Sequence, residues 1–118
     1  MSTSSIMLRL IHLLEQRMRQ ANLWHCSTPS HDAMQSTEPF AVDTMHLEQW
    51  LKFIFIPRMR ALIDGQHPLP ERCVITPHAE QMWARPQSDA VIEVLMAIDA
   101  FISENRMPSA KLLKTLEH

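Results

Sequence analysis

Apolar side chains recur every three to four positions along most of this chain, the spacing of one face of an α-helix. From Met7 the series runs Leu10, Ile11, Leu14, Met18 and Ala21, with Arg9, Glu15, Gln16, Arg19 and Gln20 on the wet side. A helix is predicted over 6–22, with Ser4 or Ser5 able to cap it. The period is lost over 25–43, where Pro29 and Pro39 sit among Ser27, Thr28, Ser30, Ser36 and Thr37. This is a long first connection, expected to be pinned by Leu23, Trp24, Phe40 and Val42. Asp43 or Thr44 then caps a second helix over 44–64. Its apolar face (Leu47, Trp50, Leu51, Ile54, Phe55, Met59, Leu62) is widened by Phe53 and Ile56 until it nearly circles the rod, so this helix is expected to be central. Pro57 lies inside it and cannot donate to the carbonyl of Phe53, which predicts a bend with local rebonding or a break into two shorter helices.

Gly65, the sole glycine, marks the end of that helix, and Pro68 and Pro70 stiffen the chain into an extended link. Thr76 followed by Pro77 reads as a cap with proline at the first helical position, opening a short helix over 77–84 that carries Ala79, Met82 and Trp83 inward. A fourth helix is predicted over 88–104, with Val91, Val94, Leu95, Ile98, Phe101 and Ile102 on one face. In the tail, 108–118, Ser109 can cap a last short helix through Leu112, Leu113 and Leu116, while Leu116, Glu117 and His118 read as the start of a vector-derived tag. There is no strand signal. The pattern predicts an all-α protein, a four-helix-type bundle with a long first connection and a proline-bent second helix, forming one domain over 1–118.

Composition narrows the function more than it identifies it. A length of 118 residues, 46% of them hydrophobic, suits one core. A single Gly leaves little scope for backbone loops that cradle phosphate, and nine Met suggest an adaptable core or contact surface. Eleven basic against thirteen acidic residues give a net charge of -2, without the basic footprint of a protein that grips a long nucleic acid. Apolar runs such as Phe53 to Ile56 are too short to span a membrane, and Asp89, Glu93, Asp99 and Glu104 would repel the fourth helix from an acidic leaflet. Cys26 and Cys73 are expected as reduced thiols in a cytoplasmic protein.

Candidate chemistry is sparse. His25, Cys26, Cys73 and His78 are zinc-ligand types, but their spacing matches no standard pairing, and no metal or other cofactor is expected. Cys26 beside His25 invites a thiolate reading, which needs a base and an orienting group that adjacency alone does not supply. Arg58 lies close to the apolar stripe of the second helix. It is expected either to pair with Asp43 or Glu48, pinning the long connection, or to stand exposed beside Trp50 and Phe53 and recognise a carboxylate or phosphate. Trp50 and Trp83 read as core or half-buried anchors that become contact hot spots if exposed.

The run Gln35-Ser36-Thr37-Glu38-Pro39-Phe40, then Asp43-Thr44-Met45, Glu48-Gln49-Trp50-Leu51 and Ile56-Pro57-Arg58-Met59, together with Leu69-Pro70 and the Pro77 helix start, resembles the YqcC-like family of small bacterial proteins. The resemblance spans roughly residues 6 to 105 and is strongest from 35 to 59. It implies an all-helical fold of unclear activity, encoded near a pseudouridine synthase that modifies transfer RNA, and it carries over no catalytic residue.

The leading expectation is a non-enzymatic binding or accessory module that holds a protein partner. Its surface would come from the 25–43 connection and the Pro57 bend, with Phe40, Asp43, Trp50, Phe53, Arg58 and Trp83 as binding residues. The alternative is direct RNA contact, which requires Arg9, Arg17, Arg19, Arg58 or Arg60 to converge with an exposed aromatic. A small enzyme with a cleft around His25, Cys26, Asp43 or Arg58 is the third reading. Monomer and homodimer are both compatible with so apolar a second helix.

Overall fold

The computed structural model describes residues 2–83 and 86–114. It is all-helical: α1 (Thr3–Gln20), α2 (Leu47–Trp50), a π-helical turn (Leu51–Phe55), α3 (Ile56–Asp64), α4 (Thr76–Met82), α5 (Asp89–Glu104) and α6 (Ala110–Lys114). Short 3₁₀ turns at Ala33–Gln35 and Pro39–Ala41 punctuate the long connection, and a third at Pro86–Ser88 leads into α5.

The centre is the α1–α5 pair rather than the second helix. All of the predicted α5 face is buried, from Val91 to Ile102, against Ile6, Met7, Leu10, Ile11, Leu14 and Met18 of α1. Each such side chain contributes about 1.5–3 kcal/mol on burial. The α2–α3 rod packs on the flank of this pair through Leu47, Leu51, Phe55, Ile56 and Met59, and α4 lies against α5. The second helix is not central because its wide apolar face is only partly covered: Trp50, Phe53, Ile54 and Leu62 remain half-buried. Arg17 joins α1 to α5 by donating to the Ala90 carbonyl and to Glu93.

The Pro57 expectation is met by rebonding. The N–H of Ile56 reaches the carbonyl of Leu51, five residues back. The wide turn keeps Leu51 and Ile56 both on the buried side and hands a helical backbone to Pro57 at the start of α3, where a missing N–H costs little. The second helix begins at Leu47, not at 44: the Gln49 carboxamide accepts the His46 N–H, while Asp43 and Thr44 spend their oxygens inside the connection. α1 starts three residues early because Ser2, not Ser4 or Ser5, accepts the Ser5 N–H. Ser109 caps the tail helix as expected, accepting from Leu112. The ends predicted for the 77–84 helix at 84 and for the tail beyond 114 lie outside the described residues.

α4 is capped from a distance. Pro77 has no N–H to satisfy, and the Asp99 carboxylate of α5 accepts the N–H groups of Ile75 and Thr76 at 2.8–3.0 Å. Four residues further along α5, Ser103 accepts the Cys73 N–H and donates to the Cys73 carbonyl. Together they fasten the 65–75 link across α5.

Candidate functional site

The Pro57 bend, the 3₁₀ turn at Pro39–Ala41 and the extended link before α4 meet at one cleft of about 280 Å³. Phe40, Trp50 and Phe55 line it together with Arg58, Arg72 and Cys73. Its aromatic wall is ordered by ring contacts. Phe40 stacks on the His78 imidazole at 4.9 Å and meets Trp50 edge-on at 5.0 Å, and Trp50 stacks on Phe55 at 5.3 Å. Phe40 gains this place through a strained backbone: it and Ala41 both take positive φ, 58° and 48°. Left-handed geometry costs a bulky residue roughly 1–3 kcal/mol, so packing must hold it there. Buried Ala41 and the Phe40 ring contacts do that.

Arg58 and Arg72 are both exposed at this cleft, and neither has an acidic partner among the described residues. No carboxylate among the described residues lines it. The expected ion pair of Arg58 with Asp43 or Glu48 is absent; Asp43 instead accepts the Ser36 hydroxyl and closes the connection on itself. Burial pushes the Cys73 thiol well up from its ordinary value, aided by the nearby Asp99 charge and hydrogen bond, so the sulfur stays protonated.

Of the residues singled out in the sequence, Phe40, Trp50 and Arg58 come together here, while Asp43, Phe53 and Trp83 do not. Trp83 is buried in the core, and its indole N–H has no partner among the described residues, so it cannot serve as a surface anchor. Phe53 faces a second cluster, where Lys52 lies over its ring at 5.3 Å and Lys52 and Arg19 both lie over Trp24. Sequence reasoning missed that His78 stacks on Phe40, that Phe55 stacks on Trp50 and that Arg72 joins Arg58 at the cleft. The Pro68 and Pro70 link was legible, but nothing in its composition says across which helix it runs. Elsewhere Arg17 pairs with Glu93, and Arg19 and Arg60 both with Glu15, while Arg9 has no acidic partner among the described residues. His25 is exposed and Cys26 half-buried, with its thiol raised mainly by burial. Among the described residues no three His, Cys, Asp or Glu side chains converge as a metal site, both cysteines are unbridged, and no helix is long and apolar enough to cross a membrane.

The family model described as DUF446: tRNA pseudouridine synthase C matches residues 6–101. An uncharacterized protein of Haemophilus influenzae is 37% identical over 93 residues, covering 78% of this chain and 88% of that one. Protein YqcC of Escherichia coli is 32% identical over 97 residues, 80% of this chain and 89% of its own length. The solution NMR structure of E. coli YqcC superposes with a TM-score of 0.75 at 30% identity, over 92% of this chain and 95% of that one. A 57-residue stretch is 44% identical to part of a protein of Pectobacterium carotovorum named tRNA pseudouridine synthase C, 48% of this chain but 15% of that protein.

Proposed function

Because this chain belongs to the YqcC-like DUF446 family, we propose that it is a non-enzymatic accessory module that docks on a transfer RNA pseudouridine synthase through the cleft at the Pro57 bend. The Pectobacterium similarity carries this reading: a segment like 48% of this chain accounts for 15% of a protein bearing the synthase name. Two modules on one polypeptide meet at high effective concentration without strong affinity for each other. A module on its own chain needs a docking surface to achieve the same meeting, and the aromatic cleft is that surface. An enzymatic role fits less well. The cleft has no carboxylate among its described lining residues to act as general acid or base. Its thiol is held protonated. A partner acting on transfer RNA also places the pair in the cytoplasm.

Direct RNA contact has less support, since Arg17, Arg19 and Arg60 are engaged by Glu93 and Glu15 and only Arg9 and Arg58 of the five candidates stay unpaired among the described residues. The test is co-purification of the tagged chain with the synthase of its own organism, before and after nuclease. Nuclease-resistant co-elution is expected. Loss of the synthase on nuclease treatment, or none captured at all, would refute the reading.

A further inference from the structure

We infer that the cleft takes an acidic peptide segment of the partner, with one large apolar side chain seated among the aromatics and carboxylates held by Arg58 and Arg72. This rests on the proposed docking role and names the chemistry of the segment that docks. Charge complementarity is the first ground: two exposed guanidinium groups share the cleft, and among the described residues neither has an acidic partner and no acid lines it. Planar forked donors of this kind suit carboxylates. Shape is the second. About 280 Å³ admits one large side chain or two small ones, not a folded element. The third ground favours peptide over nucleobase. A base needs a free ring face to stack on, yet Phe40 gives one face to His78, Trp50 gives one to Phe55, and the edge-on contact between the two rings takes a third of their four. The rest of the lining, Met59, Pro70, Val74, Ile75 and Ile102, is an aliphatic wall that receives an aliphatic or aromatic side chain. Pro70 and Ile102 also line a neighbouring depression of about 460 Å³, floored by Leu69 and Phe101, so an extended segment has room to continue. Among the described residues that line it, Glu71 alone is charged, which orients the acidic end of the segment toward the arginines.

A displayed library of random peptides, panned against the full chain and against R58E/R72E, tests this. Melting curves confirm that the variant is folded, and R58Q/R72Q replaces it if it is not. Wild type is expected to enrich peptides that pair acidic residues with a large apolar one. Their affinity is expected to fall as salt rises and to drop about tenfold or more in the variant. No enrichment, enrichment of basic peptides, or equal binding by the variant overturns the inference. So does a transfer RNA titration in which the two arginines, rather than peptide, account for binding. The synthase capture separates the two claims. If both wild type and R58E/R72E retain the synthase, the cleft assignment falls and the docking role stands. If acidic peptides are selected but no synthase is captured, the cleft assignment stands and the docking role falls.

Discussion

Gln66 stands where a glycine would be easiest. α3 ends with the His67 N–H bonded to the Leu62 carbonyl at 2.8 Å and the Gln66 N–H to that of Ile63, which requires a left-handed residue at Gln66, φ 57°. The sole glycine is one position earlier, at Gly65, with an ordinary φ of -85°. There a Cβ would come within 2.7 Å of His67 Cδ2, so Gly65 makes room rather than turning the chain. Replacing Gln66 with Gly should relieve the left-handed strain and stabilise by about 0.5–1 kcal/mol, a melting shift of a few degrees. Cys73 gives a pH-dependent counterpart. Its raised thiol keeps a proton that the unfolded chain releases, so stability is whole below the ordinary thiol value of 9.0 and is lost as pH climbs beyond it. Denaturant midpoints should fall above that value in wild type and fall less steeply in Cys73→Ala.

The π turn is the element whose cause lies in one residue and whose benefit lies in several. Pro57 would clash inside a regular helix, and the wide turn absorbs that conflict before Pro57 is reached. Pro57→Ala should therefore change stability by no more than about 1 kcal/mol. Deleting one residue from the Leu51–Phe55 turn forces a regular helix through Pro57 and should cost about 3 kcal/mol, most of it recovered when Pro57→Ala is added. Chemical denaturation of the three variants measures the cycle. Periodicity made the helices legible because each buries one continuous face; α5 matches its predicted face residue for residue. It misplaced the start of the second helix, since Asp43 and Thr44 are good caps locally but bond to Ser36 and Ala33 once the connection folds. The cleft was half legible: Phe40, Trp50 and Arg58 stood out by type, whereas Arg72 and His78 arrive through the Asp99 and Ser103 fastenings, which depend on how α5 lies.

At the scale of the whole molecule, the α1–α5 pair is the anchor and the 25–43 connection is an attachment. Lys52 holds the Trp24 carbonyl, Gln49 the Ser27 carbonyl, Thr44 the Ala33 carbonyl and Asp43 the Ser36 hydroxyl. These ties run within the connection or to the second helix; none of them reaches α5. Severing the backbone beside exposed Ser30 and His31 would therefore remove no side chain from the α1–α5 contact. Two separately expressed fragments, meeting at that point, should complement one another into a particle with the circular dichroism of the intact protein. Covalent continuity between the first helix and everything after it is then a convenience of synthesis rather than a condition of the architecture.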